Sequence, residues 1–523
     1  MSGCRRGTPA SPSFGGSILG ASVAAGHLLF QEQLPRPDRQ RKVPVVIVGG
    51  GVAGLSAGWK LQKSGFQDFE VFELEPQIGG VAQSGRNRVS AYPWGAHYLP
   101  LPTRESRAVR ELLEELEVIT GYTPAGMPIY KETFLCFAPQ ERLYLHGKWQ
   151  EGLLPLVGVG QKDLEQYERF KEMIQKFKGR PGKDGRKFFA IPMELSSRDP
   201  ATLALDRISM HDYLVEQGLD SVPLHWYANY GCRDDFGCDY REVSAWAGLH
   251  YYCSRDGEGE GAEDSALLTW PEGNGWIVRQ LESRLKNNIT RNALVHRLEN
   301  RAGQVSVHVY YPEEHRAEQI LAEAVIYAGP RSFARFLVEE KEGAFLKEFQ
   351  YAPWMVANLT LKSFPTERVG FPVCWDNVIY DSLSLGYVVA NHQSLRTRQE
   401  ETVFTYYYAM AEGSPEQQRR RLLDTDWQTW AHFILKDLSR PHPEIGSLVT
   451  QLDIFRWGHA MVRPRTGFLW GEARREGGKS RGNIHFAHSD LSGFSLFEEA
   501  QYRGILAAEK VLTKHEVRFV SSL

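Results

Sequence analysis

Three glycines near the amino terminus have a spacing that suits a phosphate-binding turn. Gly49, Gly51 and Gly54 follow four β-branched residues in a row and precede an apolar helical pattern, so they join a strand to a helix. Gly49 permits the tight turn, Gly51 lets the backbone approach a pyrophosphate, and Gly54 lets the helix pack on the strand. The N–H groups of Val52 and Ala53 then face the phosphates at the positive end of the helix dipole.

An acidic residue at the end of the second strand extends this pattern. The run from Phe69 to Glu73 is predicted to be a strand, and Glu73 lies 22 residues after Gly51. A carboxylate at this place accepts a hydrogen bond from a ribose 2′-OH, which favours FAD or NAD over NADP. The alternative is a strand–helix turn that binds nothing.

A second glycine pair makes the pattern more specific. Gly79 and Gly80 follow Glu73 by six residues, and the combination is similar to the FAD-binding flavoprotein superfamily of amine oxidases, phytoene desaturase-like enzymes and protoporphyrinogen oxidase. The resemblance implies that this pair passes close to the pyrophosphate and ribityl chain, and that Gly95 lies beside the flavin ring. Many members carry Arg after the pair, where this chain has Val81, so another residue supplies that contact or it is absent.

The same resemblance continues toward the carboxyl end. A predicted strand at residues 483–487 precedes Ser489 and Asp490, and a helical pattern that contains Glu499 follows. In the superfamily the acid binds the ribityl or pyrophosphate region, and the helix N-terminus stabilises negative charge on the reduced flavin. The usual form has Gly where this chain has Ser489. Val295 is implied to hold the adenine through its backbone.

These motifs predict an α/β fold with a split FAD-binding Rossmann-type domain and an inserted α+β substrate domain. A length of 523 residues favours two domains. The FAD-binding domain is predicted to comprise residues 43–105, 266–345 and 456–523. The substrate domain is predicted to comprise residues 106–265 and 346–455, where antiparallel strands could floor a pocket.

Residues 1–42 resemble a leader rather than part of the fold. Arg5-Arg6 before the mildly apolar run Ser17–Phe30 fits a Tat-type leader, and Ser2-Gly3-Cys4 resembles a lipoprotein cleavage box, so an exported protein is one interpretation. The other is a disordered or surface-bound leader on a cytoplasmic protein. The apolar run is too short and polar to cross a bilayer, so we expect no transmembrane span.

Composition limits the classes of partner. The net charge is −3, and the chain has neither a long basic run nor a zinc pattern, so we expect no nucleic-acid partner. The six cysteines form no CxxC pair, and we predict no metal site. A small-molecule substrate is expected, and the oligomeric state stays open.

Four side chains are candidates for catalysis: His97, His250, Trp457 and His459. His97 lies in the loop predicted to pass the flavin. Amine oxidases have a tryptophan near the flavin in the neighbourhood of Trp457. Ordinary packing is the alternative for each of the four. Residues 462–468 contain no cysteine for a covalent flavin link, so we expect FAD to bind non-covalently.

Two further stretches of the predicted substrate domain are dense in charge. Asp234 and Asp235 follow Arg233, either as an acid–base set or as a helix cap with an ion pair. Residues 256–264 alternate acids with glycine and form either a flexible connection or a lid.

The interpretation that joins these features is an FAD-dependent oxidoreductase of the amine oxidase or desaturase type, which transfers hydride from a small or hydrophobic substrate to FAD. Two alternatives use the same fold. One is a non-redox flavin isomerase or mutase, and the other is a flavin-binding partner protein without turnover.

Overall fold

The computed structural model describes residues 14–30, 34–263, 266–301, 303–338, 343–396 and 400–523. Its centre is a parallel sheet in which the first strand, Val45–Val48, is fully buried. Parallel strands need cover on both faces, which explains the continuous run of apolar residues. The spatial order of the sheet is Ile289–Thr290, Phe69–Phe72, Val45–Val48, Ala324–Tyr327 and Ile484–Phe486.

Three helices cover this sheet: Val52–Lys63, Gly275–Leu285 and Phe497–Lys514. The first and last touch closely, because a Cβ added to Gly504 would lie 2.1 Å from the Ala53 carbonyl oxygen. A four-stranded sheet lies beside them, in the order Leu294–Arg301, Gln304–Tyr311, Arg316–Ala322 and Arg39–Lys42. The split Rossmann-type domain is therefore assembled from segments distant in the sequence, as predicted.

A large mixed sheet forms the second part of the molecule. Its described strands are, in spatial order, Ile18–Gly20, Val449–Val462, Tyr351–Leu361, Thr402–Ala409, Gly386–Val389, Asp376–Ile379, Glu141–Leu145 and Lys148–Glu151. The strand Val449–Val462 crosses the predicted domain boundary at residue 456. Short two-stranded ribbons pair Ser84–Arg86 with Ala91–Pro93, Tyr98–Pro100 with Leu267–Thr269, and Ile119–Tyr122 with Pro128–Tyr130.

Helices pack around this sheet and over the junction with the parallel sheet. The helices from the first insertion are Arg107–Glu115, Gln161–Phe177, Pro200–Ala204, Met210–Glu216, Val222–Phe236 and Ala245–Cys253. Those from the later part are Pro415–Asp424, Trp427–Leu438, Ile445–Leu448 and Glu472–Gly477. Within the described ranges, no helix is both long and apolar enough to cross a bilayer.

The described parts of residues 1–42, namely 14–30 and 34–42, differ from the predicted leader because they pair with strands of the large sheet and of the four-stranded sheet. Ile18–Gly20 adds a parallel strand to Val449–Val462, a short helix follows at Val23–His27, and Arg39–Lys42 adds a strand to Arg316–Ala322. Both partners are edge strands whose unpaired N–H and C=O groups can accept one more strand. Residues 14–30 and 34–42 therefore belong to the fold. Arg5-Arg6 and Ser2-Gly3-Cys4 lie outside the described residues.

Candidate functional site

The first glycine turn has the geometry of a cradle. Gly49 has a φ of +106°, a conformation that a side chain would strain, and its N–H donates to the Phe72 carbonyl over 2.8 Å. A Cβ on Gly54 would lie 1.9 Å from the Gly49 carbonyl oxygen. A Cβ on Gly51, by contrast, would meet no described atom within 4 Å. Gly49 and Gly54 thus shape the turn, whereas Gly51 faces open space.

The helix that follows begins at Val52, directly after Gly51. The N–H groups of Val52 and Ala53, in its first turn, have no earlier helical carbonyl to bind. They are available to an anion in the space beside Gly51.

Glu73 lies at the edge of the same cradle and is buried. Its Oε2 accepts a hydrogen bond from the Gly50 N–H over 2.7 Å, and its Oε1 accepts one from the Glu75 N–H over 2.9 Å. Burial raises the pKa of Glu73 against the opposing effect of these two bonds. Its carbonyl accepts from the Ala293 N–H over 2.9 Å, which brings the strand that contains Val295 to this edge.

The second glycine pair packs directly on the first turn. Gly79 and Gly80 have φ angles of +113° and +55°, and the Gly79 N–H donates to the Gly50 carbonyl over 2.8 Å. The next residue, Val81, meets the loop at Gly95, where a Cβ would lie 2.2 Å from the Val81 carbonyl oxygen. Gly95 is therefore required by a close backbone approach, whatever else lies beside it.

Asp490 lies under the far side of the cradle and is fully buried. Its Oδ2 accepts hydrogen bonds from the Arg331 N–H over 2.7 Å and the Tyr351 hydroxyl over 2.5 Å. Burial alone would raise the pKa of this carboxyl, but His488 and these donors hold it below its ordinary value. Ser489 begins the same short turn and is buried beside it.

Glu499 has a structural partner in the inserted segment, far away in the sequence. It lies in the first turn of Phe497–Lys514, and its Oε1 accepts from the Met193 N–H over 2.6 Å. Its carboxylate therefore fixes the start of this helix against the inserted segment. The start of this helix can still act on a ligand through the positive end of the helix dipole.

An aromatic corner connects the cradle to a large cavity. The Trp457 Nε1–H donates to the Trp94 carbonyl over 2.6 Å, and the Tyr407 hydroxyl donates to the Gly95 carbonyl over 3.0 Å. The His97 ring stacks on Tyr407 with centroids 4.5 Å apart. Burial lowers the pKa of His97 to about 4, so its ring is neutral at pH 7.

The cavity beyond His97 has a volume of about 910 Å³. Rings supply much of its wall: His97, Tyr98, Tyr230, Tyr251, Tyr252 and Trp375. Five carboxylates also line it: Glu141, Glu151, Asp234, Glu263 and Asp376. The cations in its lining are Arg255 and Lys178. This combination of rings and acids suits a cationic ligand.

Three of these acids influence one another across the cavity. Burial, with a smaller contribution from neighbouring Asp235, raises the pKa of Asp234 to about 7. Burial also raises the pKa of Asp376 well above its ordinary value, with Asp234 and Glu141 adding to the effect. Burial raises the pKa of Glu141 to about 6. We call Glu141, Asp234 and Asp376 the acid cluster.

The Asp pair has a different arrangement from either predicted one. Asp234 and Asp235 occupy the last turn of Val222–Phe236, where the helix dipole opposes a negative charge. Asp235 pairs with Arg255 at 2.5 Å, and Arg233 turns away to donate to the carbonyls of residues 382–384. Asp235 therefore holds Arg255, and Asp234 stays free to face the cavity.

Two predicted catalytic histidines lie apart from the cavity lining. His250 is buried, with Nε2 3.0 Å from the Ala190 carbonyl oxygen and its ring stacked on Phe494 at 4.7 Å. His459 packs edge-on against Phe333, with centroids 5.0 Å apart. Burial lowers the pKa of His250 to about 3. His250 is thus a packed neutral ring, whereas His459 remains solvent-exposed beside Phe333.

Sequence reasoning did not identify Glu141 or Arg255 as site residues. Glu141 begins an edge-side strand, and Arg255 follows the helix Ala245–Cys253, with no motif around either. Strand pairing with Asp376 brings Glu141 to the cavity, and the ion pair with Asp235 brings Arg255. Part of the predicted lid, by contrast, belongs to the cavity wall, because Gly257 and Glu263 line the cavity. Asp256 accepts a hydrogen bond from the Lys187 ammonium over 2.7 Å.

Comparison with known proteins agrees with this architecture. Residues 47–116 match the family model described as an NAD(P)-binding Rossmann-like domain. A triple mutant of putrescine oxidase superposes with a TM-score of 0.67 at 14% identity, over 91% of this chain and 100% of that one. Cyclohexylamine oxidase from Brevibacterium oxydans IH-35A gives 0.61 at 14% identity, over 91% and 100%.

A third solved structure widens the range of reactions found on this architecture. The CLA-producing fatty acid isomerase from P. acnes gives a TM-score of 0.61 at 15% identity, over 90% of this chain and 98% of that one. The chain therefore shares the fold of these two oxidases and of the isomerase, and its Rossmann-type unit confirms the predicted fold class. Sequence identities of 14–15% establish the shared fold only. The reaction must be inferred from the residues of the site.

Proposed function

We propose that the chain is an FAD-dependent oxidoreductase that oxidises a cationic amine. The cofactor proposal is supported by the fold and by the fit of the cradle to a dinucleotide. Gly51 opens onto free space at a helix start, and the buried Glu73 carboxylate stands where a ribose hydroxyl would donate to it. The helix start at Phe497 would serve the flavin end, and the buried Asp490 would fix the turn that precedes it.

The observation that carries the substrate proposal is the acid cluster. Glu141, Asp234 and Asp376 line a cavity to whose wall several aromatic rings also contribute. Burial raises the pKa of each carboxyl, to about 6 for Glu141 and about 7 for Asp234, so a negative charge on the cluster is poorly compensated. An ammonium ion would supply the missing charge, and the rings would hold it by cation–π attraction.

The residues of the chain have distinct tasks in this proposal. Bound FAD would accept a hydride from the carbon next to nitrogen. The acid cluster would bind and orient the ammonium, with Asp234 giving up its own proton to solvent as the cation arrives. The ionised carboxylate would then accept one proton from the ammonium, because only the neutral amine can give up a hydride and leave as an iminium ion. His97, Tyr407 and Trp375 exclude water where the cavity meets the Gly95 loop. A neutral His97 adds no positive charge that would repel the substrate.

An isomerase reaction is a second candidate, because the P. acnes fatty acid isomerase has a similar fold. A fatty acid, however, would bring its carboxylate into a cavity lined by carboxylates. Like charges in such a site repel one another. The cavity therefore favours the amine proposal over a carboxylate substrate.

The test is an anaerobic screen of the purified yellow protein with three matched compounds. These are a small primary amine, the alcohol and the carboxylate of the same carbon skeleton. We expect bleaching of the flavin band with the amine alone. Bleaching by the alcohol or the carboxylate and not by the amine would overturn the substrate proposal. Conversion of any compound without bleaching would favour isomerisation, and no response to any would favour a binding protein without turnover.

A further inference from the structure

The described part of the amino-terminal region follows a defined path between the two halves of the molecule. We call residues 14–30 the N-terminal strap. Its first part runs along the large sheet, where Ile18, Leu19 and Gly20 pair in parallel with residues 454–456. The Ser17 N–H also donates to Asp453 Oδ1 over 2.9 Å. This anchor lies on the strand that carries Phe455 and Trp457, the rings packed against the loop at Gly95.

The second anchor lies beside the ribose acid. The Ser22 N–H donates to Glu75 Oε1 over 2.8 Å, and the Ser22 hydroxyl donates to Glu75 Oε2 over 2.6 Å. The N–H of Glu75 in turn donates to Glu73 Oε1 over 2.9 Å. Ser22 is therefore joined to Glu73 through one intermediate residue.

Ala21 alone separates the two anchors in sequence. Gly20 pairs with Arg456, and Ser22 binds Glu75, so the chain crosses from the large sheet to the edge of the cradle within roughly 7 Å. Farther along, the Phe30 ring packs edge-on against Phe336, with centroids 5.0 Å apart, in the segment after the strand Ala324–Tyr327. The strap thus contacts the large sheet, the edge of the cradle at Glu75 and the segment that follows the strand Ala324–Tyr327.

We propose that the N-terminal strap is part of the cofactor site and closes the cleft over bound FAD, so that it slows the release of FAD. This inference rests on the proposed function only in that FAD is the ligand. It is independent of which substrate the enzyme oxidises.

The strap is held loosely enough to open without unfolding the rest of the chain. Its strand pairing with the large sheet covers Ile18–Gly20, with one further bridge between Gly15 and Gln451, and Leu19 and Val23 are 40% and 46% exposed. Segments with few buried contacts open at low free-energy cost. A detachable cover affects how fast a ligand leaves, while the cradle beneath still determines where it binds.

Two adjacent glycines offer a matched pair of variants. A Cβ on Gly16 would lie 1.7 Å from the Leu452 carbonyl oxygen, so Gly16→Val should push the strap off the large sheet. A Cβ on Gly15 would meet no described atom within 4 Å, so Gly15→Val should leave the strap in place. Ser22→Ala removes a hydrogen bond at the other anchor and leaves the strand pairing unchanged.

The experiment measures the rate at which FAD leaves the full-length holoprotein, from the rise in free-flavin fluorescence after dilution. We expect release to be about tenfold faster for Gly16→Val and for the double variant with Ser22→Ala, and unchanged for Gly15→Val. Near-UV circular dichroism of the flavin-free variants checks that the fold is retained. Equal release rates in all variants would overturn the strap proposal. A wild-type protein that binds no FAD would instead overturn the proposed function.

Discussion

The N–H of Gly50 donates to the Glu73 carboxylate over 2.7 Å, so the first glycine turn and the acid of the second strand form one unit. This bond fixes the carboxylate at the edge of the cradle. The same carboxylate accepts a hydrogen bond from the Glu75 N–H. The Glu75 carboxylate in turn accepts one from the Ser22 N–H of the N-terminal strap. A substitution at Glu73 should therefore weaken cofactor binding more than it destabilises the fold.

Glu73→Gln should weaken FAD binding about 10- to 100-fold, since one charge-assisted hydrogen bond is lost and an NH₂ group replaces an acceptor. Titration of the flavin-free protein with FAD measures the effect. Glu70→Gln is the matched control, because Glu70 lies on the same strand but pairs with Arg41 outside the cradle. Unchanged affinity in Glu73→Gln, or equal losses in both variants, would contradict the ribose assignment.

The acid cluster predicts a pH dependence of substrate binding. Asp234 has a pKa of about 7 in the ligand-free protein, and the cation binds to the ionised form. We therefore expect the KM for a primary amine to rise as the pH falls below about 7. Asp234→Asn should raise the KM about tenfold at neutral pH and flatten this dependence. A pH profile of KM that is the same in both proteins would exclude Asp234 from substrate binding.

The raised pKa of Asp234 also predicts how the stability of the ligand-free protein depends on pH. Here the ionised carboxyl, which favours substrate binding, disfavours the folded state. Burial raises the pKa of Asp234 from 3.8 to about 7, so the folded state binds this proton more tightly than the unfolded state. Its stabilising contribution is complete below about pH 4 and is lost as the pH rises through about 7. Ligand-free Asp234→Asn avoids that loss.

The variant should therefore gain stability over wild type as the pH increases, by on the order of 1–3 kcal/mol above neutrality. Thermal unfolding of the two proteins across the pH range measures the difference. A difference that is constant with pH would show that Asp234 is not held in its protonated form.

The sequence predicted the cradle well because its requirements are local. Gly49, Gly54 and Gly79 are needed by turns and close packing between neighbouring segments, and these leave a readable spacing. Several helix and strand boundaries were also close. The sequence predicts helices over residues 161–178 and 427–438, and the structure has helices at Gln161–Phe177 and Trp427–Leu438.

The cavity could not be predicted in the same way, because it depends on contacts between residues far apart in the chain. Glu141 and Asp376 become neighbours when their strands pair in parallel, 235 residues apart in the sequence. Nothing near Glu141 indicates that partner. The N-terminal strap escaped prediction for a related reason, since Ile18–Gly20 has a strand conformation only on the edge offered by Val449–Val462.

The central claim is that FAD lies in the space that Gly51 faces. Two glycine variants separate this claim from a general effect on folding. A Cβ on Gly51 meets no described atom within 4 Å, whereas a Cβ on Gly54 would lie 1.9 Å from the Gly49 carbonyl oxygen. Gly51→Val should therefore fold and exclude the cofactor, while Gly54→Val should damage the turn itself.

The most direct measurement is the flavin absorbance of purified Gly51→Val beside wild type, with the melting temperature of each flavin-free protein. We expect a yellow wild type and a colourless Gly51→Val whose melting temperature equals that of the flavin-free wild type. A Gly51→Val protein that is as yellow as wild type would contradict the account, because the added side chain would then occupy space that the cofactor does not use.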